Sequence, residues 1–153
     1  MRAFAFLVFA TLIAVASPAQ AANEFGSKDE AVAMVKRVQA EFKKNGAEAT
    51  FKAVSDKTTK EFHDRDLYAF IYDMSGKCVA HGARAALIGK NLIDLKDQDG
   101  KFLIREMVDM AKGPGSGWIA YKWPNPINNK IEDKLSYVEK MGDYFVGVGV
   151  YKQ

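Results

Sequence analysis

Between Ser27 and Gly46, apolar residues recur at Ala31, Val35, Val38 and Phe42, while Lys36, Arg37, Glu41 and Lys44 fall on the other side. This 3.6-residue period predicts a long amphipathic helix with one face built to lie on something flat. Ser27 and Glu30 have capping-box spacing at its start, and Asn45-Gly46 suits its end. A shorter helix over Ala47 to Ser55 presents Phe51 and Val54, and a polar run broken by Phe62 then leads to Asp66. From Leu67 to Asp73 the period changes to two. Leu67, Ala69 and Ile71 share one face and Tyr68, Phe70 and Tyr72 the other, so this strand is expected to be covered on both sides.

A Met74-Ser75-Gly76-Lys77 turn leads to a second, shorter strand ending on His81. Loop and short helical turns are predicted from Gly82 to Lys96. Asp99 is then placed to N-cap a helix carrying Leu103, Ile104, Met107, Val108 and Ala111, which the glycines from Gly113 to Gly117 end. Three strands follow: Trp118 to Trp123, Lys134 to Lys140, and Tyr144 to Tyr151, the last two joined across Met141-Gly142-Asp143. The expected fold is α+β. A five-stranded antiparallel sheet carries the long N-terminal helix on one face and the Gly82–Lys112 helix and loop segment on the other.

The N-terminus reads as an address. Arg2 precedes a charge-free apolar run from Phe4 to Ala16, and Ala19-Gln20-Ala21 is an A-x-A cleavage signal. Thirteen helical residues rise only about 20 Å, short of the roughly 30 Å bilayer core. Residues 1–21 are therefore expected to be a signal peptide cleaved after Ala21. Residues 22–153 are expected to form one periplasmic ligand-binding domain. Loss of Arg2 would leave 21 basic residues against 19 acidic ones, a net charge of +2. The charges are interspersed without a basic block, which argues against nucleic acid as a partner.

Candidate chemistry is sparse. Cys78 is the only cysteine, so an internal disulfide is excluded and a small buried hydrophobe is the expected role. Two histidines and one distant cysteine do not make a zinc cluster, and no C-x-x-C-H motif is present, so neither metal nor other cofactor is expected. Asp97-Gln98-Asp99-Gly100 reads as a turn, since Leu95 breaks the calcium-loop frame. No nucleophile stands in a recognisable catalytic frame, and the chain is not read as an enzyme.

The residues that suggest binding are few. His81 ends its strand on the face expected to lie opposite Cys78 and Ala80, where its imidazole could donate to an anion. Tyr121 and Trp123 share one face of an aromatic strand, while Trp118 and Lys122 share the other. Aromatic walls with a polar tip suit small-ligand pockets. Lys134 and Tyr137 lie on the next strand, and Arg105 is a reserve cation. The candidate ligand-binding set is His81, Arg105, Tyr121, Trp123, Lys134 and Tyr137, with the parity of the third and fourth strands left open. Gly147 and Gly149 alternate with valines on the last strand and are expected to leave room for a helix or a ligand, a packed helix ahead of a ligand.

One ordered set of segments carries a family resemblance. It comprises Asp66-Leu67-Tyr68-Ala69-Phe70-Ile71-Tyr72-Asp73, the Ser75-Gly76-Lys77 turn, Val79-Ala80-His81, Ile88-Gly89-Lys90-Asn91-Leu92, Gly117-Trp118 through Tyr121-Lys122-Trp123-Pro124, Lys134 to Val138, and Gly147-Val148-Gly149-Val150-Tyr151. Read together, these resemble the single Cache domain family over nearly all of the chain beyond Ala21. The resemblance implies a PAS-like sheet and extracytoplasmic sensing of small molecules, often short organic acids. The leading expectation is a soluble periplasmic module that binds a small carboxylate and presents it to a membrane receptor or kinase. The alternative is an assembly module without a ligand, which dimerises through the long helix or docks on a membrane partner.

Overall fold

A computed structural model describes residues 25–152. The expected signal peptide lies outside the described residues. In chain order the elements are α1 (Lys28–Ser55), β1 (His63–Asp64), β2 (Leu67–Asp73), β3 (Cys78–His81), α2 (Leu103–Lys112), β4 (Ser116–Pro124), β5 (Ile131–Met141) and β6 (Tyr144–Tyr151). All strand pairs are antiparallel, in the order β1-β2-β6-β5-β4, with β3 also on β2. The sheet thus has six strands rather than the expected five. The extra one is a two-residue return of His63 and Asp64 onto Tyr68 and Leu67. So short a bridge shows no alternation that a sequence pattern could reveal.

The α1 N-terminus is closed by reciprocal bonds. Ser27 Oγ accepts from Glu30 N–H at 3.2 Å, and Glu30 Oε2 accepts from Ser27 N–H at 2.7 Å. At Gly46 the backbone leaves the helical region (φ 80°, ψ 179°), so α1 is two helical stretches joined at a kink. A left-handed φ of this kind is cheap only for glycine. The apolar stripe of α1 packs Ala31, Met34, Val35 and Val38 on Leu67, Ala69, Ile71, Val146 and Val148.

Two substitutions on α1 should therefore separate cleanly. Val38 is fully buried in this layer. Val38→Asp places an unpaired charge there and should unfold the domain or nearly so. Lys36, an exposed partner of Glu139, should cost no more than about 1 kcal/mol when changed to Met. Urea titration of both variants measures the contrast, and equal stability would contradict the packing.

Across the sheet, α2 lays Leu103, Ile104, Met107, Val108 and Ala111 on the other face. Its start differs from expectation. Asp99 caps nothing. Asp97 Oδ1 instead accepts from the N–H groups of Asp99 and Lys101, and Asp97 Oδ2 accepts from Lys122 N–H. The turn therefore folds on Asp97 and is pinned to the free edge of β4, and the helix begins only after Phe102, which lends no side-chain cap.

A second difference matters more for function. Ile71 pairs with Ala80 but Tyr72 pairs with Cys78, so Val79 is an extra residue in a β-bulge. The bulge reverses parity within β3. Ala80 packs on the α1 side, whereas Cys78 joins the α2-side core and His81 pairs opposite Phe70. His81 and Cys78 therefore share a face, contrary to the strict alternation expected from sequence. Cys78 is fully buried and its thiol is pushed up to about 11 by that burial, consistent with a packing role.

Candidate ligand site

The face of the sheet under α2 is aromatic. Alternation in β2 turns Tyr68, Phe70 and Tyr72 toward α2, while β4 contributes Tyr121 and Trp123. With His81 and the α2 side chains Leu103, Ile104 and Met107, these rings enclose a small cavity holding about 10 Å³ of free space, the room of roughly one water. A second, open groove of about 640 Å³ borders the outer ends of β4, β5 and β6. Several of its charges are already paired, Lys122 with Asp133 and Asp99 and Lys101 with Glu106, and Lys28, Lys134 and Lys152 also line it. Matched, water-screened charges offer little net binding energy. The larger space also has fewer aromatic walls, and the aromatic face under α2 is the stronger candidate.

Lys134 lines the groove rather than the small cavity, yet its Nζ reaches rings that line the cavity, 3.8 Å from the Tyr68 ring centre and 5.8 Å from Phe70, and lies 4.9 Å from Tyr151. The residue is 2% exposed, and Nζ has no hydrogen-bond partner among the described residues. Three ring faces favour the cation, but burial without an acceptor disfavours it more strongly. Lys134 therefore sits well below the ordinary lysine pKa, chiefly through desolvation, with the negative charge of Asp66 acting in the opposite sense. Asp66 is itself buried. Its Oδ1 accepts from Gly26 N–H at 2.6 Å, its Oδ2 has no hydrogen-bond partner among the described residues, and burial holds its carboxyl above the usual range.

His81 supplies a neutral donor. Its Nδ1 accepts from the N–H groups of Ala83 (3.2 Å) and Arg84 (3.0 Å), which assigns the ring proton to Nε2. Burial first, then the positive charges of Lys134 and Arg84, push its pKa down to about 3. The ring lies 5.2 Å from Tyr68 and 6.1 Å from Phe70. Arg84 in turn places its guanidinium 5.9 Å from the Trp123 ring centre. The hydroxyls form short relays. Tyr151 Oη donates to Pro124 O at 2.8 Å, which leaves Tyr68 to donate to Tyr151 at 3.2 Å. Tyr121 Oη and Ser136 Oγ are 2.8 Å apart.

Of the six residues singled out from sequence, His81, Tyr121, Trp123 and Lys134 come together here. Tyr137 does not. It differs from Lys134 by three positions on one strand, so it faces α1, its ring tilted against Trp118 at 5.4 Å and its hydroxyl donating to Glu139. Arg105 points outward from α2 to Asp94 and covers the Phe102 ring. Sequence reasoning missed Tyr68, Phe70 and Tyr151 as parts of the site, although the one-sided aromatic alternation of β2 was a usable signal. It also misjudged the glycines of β6. A Cβ at 147 would overlap the Phe70 ring, and one at 149 would overlap Lys134 Cε and Ser136 Oγ. Side chains of the site, not a helix, occupy the room those glycines leave.

The family model of the Cache domain matches residues 26–153. The chain belongs to the Cache domain family. A sensor histidine kinase, MctS, of Rhizobium johnstonii is 37% identical over 106 residues, 68% of this chain and 23% of that protein. A methyl-accepting chemotaxis protein, McpP, of Pseudomonas putida is 33% identical over 91 residues, 58% of this chain and 17% of that protein. The chain thus spans about a quarter or less of the length of these relatives.

Among solved structures, a methyl-accepting chemotaxis protein from Vibrio parahaemolyticus is similar, with TM-score 0.69, 29% identity, and 81% of this chain and 87% of that chain covered. A Cache chemosensory domain described for carboxylic acid recognition covers 82% of this chain and 88% of its own at TM-score 0.64. At 24% identity the likeness to it is one of fold. Within the described residues of this Cache domain, no helix is long and apolar enough to cross a membrane. Nor do they hold a cluster of three or more His, Cys, Asp or Glu side chains that could bind a metal ion.

Proposed function

We propose that this Cache domain is an extracytoplasmic sensor module that binds a short organic acid between the sheet and α2. The observation that carries this reading is Lys134, whose buried Nζ has three aromatic rings around it and no hydrogen-bond partner among the described residues. An anion delivered to Nζ would supply the missing charge and acceptor together, in surroundings where a charged hydrogen bond is strong. His81 Nε2–H would donate to the second carboxylate oxygen, and the Tyr121 hydroxyl would add a further donor. Trp123 and the α2 side chains would enclose the hydrocarbon part. The free space is smaller than any such acid, so the α2 wall must yield as the ligand enters. Met107, unbranched and flexible, is the side chain there best suited to repack.

The relatives support a signalling context, being a kinase and a chemotaxis receptor. In this reading the domain follows a cleaved leader, resides in the periplasm and reports ligand occupancy to a membrane receptor or kinase. The test is a melting-temperature screen of the purified protein against short monocarboxylates, dicarboxylates, amines and amino acids. Binding to the native state raises stability by mass action, about 2.7 kcal/mol at a ligand concentration 100 times Kd. Short monocarboxylates should raise the melting temperature and amines should not. A screen without any shift would favour the assembly module.

A further inference from the structure

We propose that Gly149 is the positioning residue of the site: the missing side chain at 149 is what lets Lys134 lie across β6 and bring its ammonium to the aromatic face. This rests on the reading of Lys134 as the counter-charge of the ligand. On β5, Lys134, Ser136 and Val138 point to the α2 side, and in the β5–β6 register Ser136 stands directly opposite Gly149 while Lys134 stands opposite Tyr151. A lysine opposite Tyr151 that ran straight out from the sheet would not meet the Tyr68 ring, because β6 separates β5 from β2. Lys134 instead crosses β6. Its Nζ is 3.8 Å from the Tyr68 centre, and the path of its stem passes over Gly149.

An added Cβ at 149 would sit inside the space of Lys134 Cε and 3.1 Å from Lys134 Cγ. Gly149 has no positive φ that would itself demand glycine. A strand residue with ordinary backbone geometry and a side chain running over it is a glycine kept for close approach. The chemical consequence is selectivity. With glycine at 149 the site presents a cation and takes an anion. With any side chain there, the ammonium is driven off the rings and the remaining surface is apolar and neutral. Ser136 Oγ would be displaced as well, and it partners Tyr121, so the two effects must be separated.

The test uses the purified protein labelled with ¹³C-lysine. The Lys134 ε-CH₂ protons, held by the Tyr68 and Tyr151 rings, should show ring-current shifts away from the other lysines, assigned by their loss in Lys134→Met. In Gly149→Ala that resonance should move to the position of a solvated lysine, with the melting temperature preserved. In Ser136→Ala it should stay where it is. Acetate affinity, read by calorimetry, should fall at least tenfold in Gly149→Ala. The double variant Ser136→Ala/Gly149→Ala removes the hydroxyl overlap and gives the same answer should the single variant fold poorly. A shifted lysine signal that persists in the Gly149→Ala variants would overturn the inference. Loss of the signal with unchanged acetate affinity would also overturn it as a statement about the site. If the signal is lost but the wild type binds no short acid, Gly149 still positions Lys134 and the acid-binding reading is what fails.

Discussion

Replacing Lys134 by methionine is expected to weaken acid binding strongly and, at the same time, to stabilise the fold. Truncating one partner of a buried charge pair costs about 2–5 kcal/mol, so affinity should fall from some thirtyfold to several thousandfold. Stability should move the other way, because methionine matches the length of the lysine stem without a charge to desolvate. A gain of about 1–4 kcal/mol is in the range seen when buried charges are replaced by well-packed apolar groups. Asp66 loses its counter-charge in the variant, which trims the gain. The pH dependence has a definite sign. Lys134 binds its proton less tightly folded than unfolded, so between its lowered pKa and the ordinary value near 10.5 the unfolded chain holds more protons. Wild-type stability therefore rises with pH across that window as the burial penalty disappears. The advantage of Lys134→Met should be largest on the acid side of that window and shrink toward pH 10. Urea titrations of both proteins between pH 6 and 9.5 measure it, and a gap that widened with pH would contradict the buried, desolvated ammonium.

Acid is expected to unfold the domain through His81. Its folded pKa is about 3 against an ordinary 6.5, so below pH 6.5 the unfolded chain takes up a proton that the folded chain refuses. Stability is intact above 6.5 and declines as pH falls toward 3, by roughly 4 kcal/mol over the window. Asp66 opposes this in part, since its raised carboxyl pKa favours the folded state as it protonates. Carboxylates held low by their partners, such as Glu30 at about 2 and Asp97, add to the acid loss mainly below pH 4. The share of His81 is isolated by His81→Asn, whose side-chain oxygen can still accept from the 83–84 backbone. The variant should lose about one proton of pH dependence between 4 and 6.5. An unchanged slope would mean that His81 is protonated, or accessible, in the folded protein.

How much of this was legible in the sequence depended on how local each feature is. The capping box of Ser27 and Glu30, the break at Gly46 and the two faces of β2 are set by residues within one turn or one strand, and periodicity exposes them. The bulge at Val79 is not local. It exists because β3 must meet both Lys90 O through Cys78 N–H and the β2 edge, and it alone decides that His81 joins Cys78 rather than opposing it. The failure of Asp99 to cap α2 has the same origin, since Asp97 gains a third donor from the distant Lys122. Relative parity within β5 is legible in the sequence, but which of its faces lies under α2 is not. Lys134 and Tyr137 cannot share a face, and the structure puts only Lys134 under α2. The partners of Gly147 and Gly149 come from β2 and β5, so sequence could show that room exists there but not what fills it.

The most direct test of the central claim is calorimetric titration of the purified protein with acetate and propionate beside their uncharged amides, acetamide and propionamide. Each pair has nearly the same size and shape and differs in charge. If Lys134 is the counter-charge of the site, at least one acid should bind and its amide should bind a hundredfold more weakly or not at all. Equal affinity for acid and amide, or no binding by either, would contradict it.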